Sequence, residues 1–120
     1  MGCRRNKYLP MHIEVRKIDK TAVIKLSGRL DVNTSPDLRK TAFTLYTKGR
    51  CKNLTIDFAA VPLIDTSGLA TLLEILVASK EQRTRLMLSG LNDKARYLID
   101  VNGLTGFFTM EDSAREEGQE

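Results

Sequence analysis

Between positions 54 and 77 the spacing of apolar residues changes from the repeat of a strand to that of a helix. Leu54, Ile56 and Phe58 alternate with Thr55 and Asp57, so one face of this run is apolar. Leu69, Leu72, Leu73, Leu76 and Val77 then recur at helical spacing, with Glu74 on the solvent side. Pro62 stops the strand pattern, and Asp65-Thr66-Ser67-Gly68 carries the chain into the helix. A strand that hands over to an amphipathic helix must pack that helix on a sheet, which limits the chain to a layered α/β arrangement.

The flanking segments fit that frame. Residues 12–18 alternate through Ile13, Val15 and Ile18 and predict a half-exposed strand near a sheet edge. Asp19-Lys20 predicts a tight turn, and Ala22 to Leu26 a second strand, so the chain opens with an antiparallel hairpin. Gly28 predicts a bulge or a close backbone approach. Thr34-Ser35-Pro36-Asp37 reads as a helix start with a hydroxyl cap, followed by Leu38, Ala42, Leu45 and Tyr46 and ended by Gly49. The third strand is expected over Asn53 to Phe58 and the fourth over Arg85 to Ser89. Asn92 should cap a helix that carries Ala95, Leu98 and Ile99 on one stripe and ends at Gly103; Phe107 to Met110 should form a last short strand. Strand–helix alternation after a hairpin implies a mostly parallel or mixed sheet.

A chain of 120 residues, 42% hydrophobic and 28% charged, is expected to form one globular domain. It divides into a flexible basic arm (1–11), the folded domain (12–110) and an acidic tail (111–120). No apolar run approaches a membrane span, and no apolar stretch follows Arg4, Arg5 and Lys7, so a cytoplasmic location without membrane insertion is expected. Cys3 and Cys51 lack histidine neighbours, and His12 is the sole histidine, so neither a metal nor a cofactor is expected. Net charge is +4, but the basic residues are scattered along the sequence and Trp is absent, which argues against direct nucleic-acid binding.

The Asp65 to Leu69 stretch places hydroxyls at a helix N-terminus, where free amides and the helix dipole favour an anion. Four readings are open on the residues alone. Thr66 or Ser67 caps the helix, with Gly68 easing packing. Ser67 is a hydrolytic nucleophile, which would require His12 to complete a triad and departs from the usual Gly-x-Ser-x-Gly pattern at positions 65 and 69. Asp65 belongs to an aspartic protease, although Ser67 interrupts the usual Asp-Thr-Gly. The chain accepts a phosphoryl group, on Asp57 as in a receiver domain or on Ser67; the opening hairpin and the lone Asp19 count against the receiver.

Asp65-Thr66-Ser67-Gly68-Leu69, the strand before it, Gly28-Arg29-Leu30-Asp31 and Gly103-Leu104 together resemble the STAS domain, and within it the bacterial anti-sigma factor antagonists. The resemblance covers roughly residues 12 to 110. It implies a four- to five-stranded sheet with helices mainly on one face. It also implies a non-enzymatic binding module whose unphosphorylated form binds an anti-sigma factor serine kinase and frees the sigma factor. Phosphorylation of Ser67 would switch it off, and a serine phosphatase would reset it. The partner surface it implies comprises Asp31, Asn33, Thr34, Asp65, Thr66, Ser67, Gly68 and Leu69, with Gly68 leaving room for a partner's backbone and both aspartates repelling a phosphate; turn stabilisation and capping are the other roles open to Asp31 and Asp65. A STAS subunit of a transporter ATPase complex, or another STAS signalling scaffold, is the alternative the resemblance allows.

Overall fold

A computed structural model describes residues 11–112. The elements run β1 (Met11–Ile18), β2 (Thr21–Gly28), α1 (Ser35–Thr47), β3 (Asn53–Ala60), α2 (Thr66–Glu81), β4 (Arg85–Ser89), α3 (Asp93–Val101) and β5 (Thr109–Glu111). Strands thus reach from Met11 to Glu111, one residue beyond the expected domain at either end. The rest of the expected arm and all but Glu111 and Asp112 of the expected tail lie outside the described residues.

The five strands form one sheet in the order β1-β2-β3-β4-β5. β1 and β2 are antiparallel across the Asp19-Lys20 turn, and β1 is an edge strand. β2–β3, β3–β4 and β4–β5 are parallel pairs. Each crossover through a helix advances one strand in the same direction, so right-handed connections put all three helices on one face of the sheet. Burial agrees. Ala22, Ile24 and Leu26 of β2, Leu54, Ile56 and Phe58 of β3, and Leu86 and Leu88 of β4 are buried, while their alternates Lys25, Asp57 and Met87 face the uncovered side.

Helix α2 lies over this face through Leu72, Ile75, Leu76 and Ser79, all buried. Val77, expected on that stripe, is 56% exposed, whereas Ile75 is fully buried. A helix turns about 100° per residue, so position 77 points well away from the 72–76–79 line. The Tyr46 hydroxyl donates to the Ile75 carbonyl at 3.0 Å and ties α1 to α2. Two further boundaries differ from the sequence pattern. β3 continues through Ala59 and Ala60, and Thr105–Phe107 is a short 3-10 turn ahead of β5.

Candidate functional site

Two loops meet at the C-terminal ends of the parallel strands, one after β2 and one after β3. The first leaves β2 through a register shift between Lys25 and Ser27 and a left-handed Gly28 with φ +105°. Asp31 organises the turn that follows. Its carboxylate Oδ1 accepts the Asn33 amide at 2.9 Å, and its carbonyl accepts the Ser35 hydroxyl at 2.7 Å and the Ser35 amide at 2.8 Å. The Thr34 hydroxyl accepts the Asp31 amide at 2.9 Å and donates to the Arg29 carbonyl at 2.9 Å. Thr34 therefore stands at the N-cap of α1 but makes no side-chain cap bond; its hydroxyl closes the preceding loop instead.

The second loop is stitched to the first. Leu30 and Ile64 form an isolated parallel bridge: the Leu30 amide donates to the Leu63 carbonyl at 2.9 Å, and the Asp65 amide donates to the Leu30 carbonyl at 3.1 Å. Asn92, at the start of α3, donates to the Pro62 carbonyl at 3.2 Å while its side-chain oxygen accepts the Ala95 amide at 2.8 Å. The loop that carries Ser67 is thus held by a neighbouring loop on one side and by a helix cap on the other.

Asp65 caps α2: its Oδ1 accepts the Gly68 amide at 2.9 Å, and its carbonyl accepts the Leu69 amide at 2.9 Å. Of the capping candidates Thr66, Ser67 and Asp65, the aspartate takes the role. Thr66 is exposed and Ser67 half-buried, and among the described residues neither hydroxyl is hydrogen-bonded. Neither are their backbone amides, which leaves two donors free at the positive end of the α2 dipole. Ser67 and Thr71 share a shallow groove with Val32, Ser35, Pro36 and Arg39 of the α1 side. Arg39 is held at that groove by Glu74, at 2.7 Å, and lies 5.1 Å over the Phe43 ring.

The residues expected at a partner surface separate into two layers. Asp31, Asn33, Asp65, Thr66 and Ser67 are at least partly exposed on the joined loops. Thr34, Gly68 and Leu69 are buried and hold that surface from below. Gly68 does not leave room for an outside backbone: a Cβ there would stand 2.7 Å from the Leu30 carbonyl oxygen, so the space is already filled from within. The sequence pattern marks Asn92 as a cap and Leu30 as part of a motif but not their hold on the second loop, and it does not single out Arg39. Only Gly68, a glycine inside the first turn of a helix, hinted that something pressed on it.

Two of the alternative chemistries fit poorly. His12 pairs with Ser27, next to the Ile13–Leu26 pair that faces the core, so its side chain is on the sheet face opposite α2 and Ser67. Asp57 is on that same uncovered face, and its Oδ1 accepts the Ala59 amide at 2.9 Å.

The STAS domain family model matches residues 12–117. The chain is 24% identical over 107 residues to an anti-sigma-B factor antagonist of Staphylococcus aureus (strain NCTC 8325 / PS 47), covering 89% of this chain and 98% of the relative. It is 26% identical over 108 residues to the anti-sigma-B factor antagonist of Bacillus subtilis (strain 168), covering 90% and 95%. Among solved structures, the anti-sigma factor antagonist SpoIIAA in its unphosphorylated form superposes with a TM-score of 0.76 at 22% identity, over 88% of this chain and 91% of the other. The phosphorylated form of SpoIIAA from Bacillus superposes at 0.71, also at 22% identity, over 88% and 95%. At these identities the superpositions establish a common fold.

Proposed function

The chain belongs to the STAS domain family, and from that membership we propose that it is an anti-sigma factor antagonist switched by phosphorylation of Ser67. The observation that carries the reading is the state of Ser67 itself. It sits half-buried in the first turn of α2, its hydroxyl is unengaged among the described residues, and the structural duty of capping has been taken by Asp65. A serine that the fold does not use is available to a kinase.

The chemistry needs little from this chain. Ser67 Oγ attacks the γ-phosphorus of ATP bound to the anti-sigma factor kinase. A new O–P bond forms, the bond to the β,γ-bridging oxygen breaks, ADP leaves, and the hydroxyl proton passes to a base of the kinase. Phosphorylation adds about −1.5 to −2 charge at pH 7. The free amides of Thr66 and Ser67 offset part of it, so the fold tolerates the modification. Asp65 opposes it, and so does Asp31 through the joined loop. The surface that receives a partner becomes both bulkier and more negative, which weakens docking. A serine phosphatase restores the hydroxyl.

The unphosphorylated and phosphorylated forms of SpoIIAA, and the names of the curated relatives, support the reading by analogy. Its direct test is incubation of the full chain with the cognate kinase and ATP, followed by intact mass. One added phosphate on the wild type and none on Ser67→Ala is expected. No phosphate on the wild type, or equal phosphate on the variant, rejects Ser67 as the acceptor.

A further inference from the structure

The end of the domain opposite Ser67 gathers the positive charge that the sequence scatters. Because β2 to β5 are parallel, their N-terminal ends share one pole, with Thr21, Asn53 and Arg85 side by side. The β1–β2 turn and the C-terminal ends of the helices arrive at the same pole. The turn brings Lys17 and Lys20. The α1–β3 connection brings Lys48, Arg50 and Lys52, and the last turn of α2, its loop and the first residue of β4 bring Lys80, Arg83 and Arg85. All eight are exposed, and none is in an ion pair among the described residues. Among the described residues the acids of this pole are Asp19, Glu81 and Asp100, which leaves five net positive charges from those residues there.

The cations stand on a fixed frame. The Lys52 amide donates to the Lys20 carbonyl at 2.7 Å, the Arg85 amide to the Lys52 carbonyl at 2.8 Å, and the Thr84 hydroxyl to the Cys51 carbonyl at 2.7 Å. Two of the arginines also hold backbone that favours glycine, with φ +49° at Arg50 and +57° at Arg83. Arg83 closes α2 in a Schellman motif, with Thr84 amide to Ser79 carbonyl at 2.8 Å and Arg83 amide to Lys80 carbonyl at 3.2 Å. The same pattern closes α3, where the left-handed position is Gly103. At the equivalent place α3 ends in glycine and α2 in arginine. A strained residue retained where a cheaper one fits points to use of its side chain.

Two large apolar side chains border the charge. Ile18 at the hairpin end is 78% exposed, and Phe107 in the turn before β5 is 62% exposed, at opposite edges of the sheet. We propose that this pole docks the domain on an anionic phospholipid surface. Lysine and arginine near such a surface are attracted to its headgroups, and isolated apolar tips enter the interface that neutral water would not reward. Single-stranded nucleic acid offers the same phosphates but is held by stacking aromatics interleaved with the cations, and among the described residues no exposed aromatic ring stands between these cations, Phe107 lying at the rim. Attachment is peripheral, since no helix among the described residues is long and apolar enough to span a bilayer. Docked in this way, the domain turns the Ser67 face away from the lipid.

The test is co-sedimentation of the full chain with vesicles of phosphatidylcholine mixed with phosphatidylglycerol, and with phosphatidylcholine alone. Pelleting with the anionic vesicles only, reversed by salt, is expected. The double variant Arg50→Gly, Arg83→Gly should lose about 25-fold in affinity, roughly fivefold for each cation. Its melting temperature should be unchanged or raised, because glycine accepts the positive φ, so a loss of binding is not a loss of fold. Ile18→Asp should also weaken binding. Absence of pelleting at low salt overturns the proposal, as does wild-type affinity in the double variant, which would assign the binding to charges elsewhere. Capture of a short DNA duplex by a protein that ignores the vesicles overturns it in favour of nucleic acid.

Discussion

The carbonyl oxygen of Leu30 lies 2.7 Å from the point where residue 68 would carry a Cβ. Ile64 Cγ2 and Leu30 Cγ crowd the same point at 2.9 Å. The carbonyl is not free to withdraw, because it also accepts the Asp65 amide at 3.1 Å. Gly68→Ala should therefore cost about 1–3 kcal/mol, the usual range for overpacking. Gly106→Ala, where no atom stands within 4 Å, serves as the control and should change little. Urea midpoints at constant slope compare them; equal midpoints would deny the close approach any energetic weight.

Charge and shape at the switch can be separated with two variants. Ser67→Asp puts a carboxylate near the α2 N-terminus, where the dipole favours it by about 0.3–1 kcal/mol, so the melting temperature should hold. Its affinity for the anti-sigma factor should fall. Ser67→Ala should bind within about tenfold of wild type, or about 1.4 kcal/mol, and should act as a permanently active antagonist. Calorimetric titration reads both; equal affinities would remove charge at position 67 from the mechanism even if Ser67 is phosphorylated.

Asp65 is predicted to matter to the fold as well as to the surface. Asp65→Ala deletes the bond to the Gly68 amide and should destabilise the domain by about 0.5–2 kcal/mol. Asp65→Asn retains an acceptor and should recover most of the loss. Thermal unfolding of the pair checks this, and no difference between Ala and Asn would contradict the capping role.

The inner and outer faces of α2 should respond in opposite ways. Leu72 is fully buried, so Leu72→Ala should cost about 2–5 kcal/mol. Val77→Asp changes an exposed position and should stay within about 0.5 kcal/mol. Comparable losses in denaturant melts would mean that the helix is turned the other way.

Alkaline stability should track a buried phenol together with the thiol beside it. Burial pushes the Tyr46 hydroxyl well above its usual value near 10, and the neighbouring Cys51, itself raised by burial, pushes it further. Above about pH 10 the unfolded chain loses this proton while the native state keeps it, so stability falls with rising pH by up to about 1.4 kcal/mol per unit. Tyr46→Phe should flatten that decline, although it also forfeits the bond to Ile75 and starts from a lower stability at neutral pH. Denaturant titrations across the alkaline range would show the same slope for both proteins if another group governs it.

Local pattern made much of this molecule legible. The Asp19-Lys20 turn, the alternation in β2 and β3, and the caps at Asn92 and Gly103 are written in residues close together in sequence, and each lies where the pattern put it. What stayed hidden depends on distant segments meeting. The Leu30–Ile64 bridge joins loops separated by a helix and a strand, and it redefines Gly68 from an opening for a partner into a seat for a carbonyl. Thr34 has the residue type and place of a cap, yet the Asp31 turn competes for its hydroxyl and wins. Val77 looked like part of an apolar stripe because leucines crowd the window around it, and only helical rotation separates it from Ile75. The cations of the basic pole lie in and beside three separate connections, so no short window of sequence contains them together.

The spatial order of the strands repeats their order along the chain. No strand has to wait for a later one to be inserted beside it, so the sheet can grow at a single edge as the polypeptide is synthesised, each crossover closing on a ladder already present. The same order makes the finished sheet unequal in permanence. β5, only three residues long, arrives last and supports no neighbour, so its release leaves every other ladder whole. Amide exchange at Thr109–Glu111 should outpace exchange in β3, which is held on both sides.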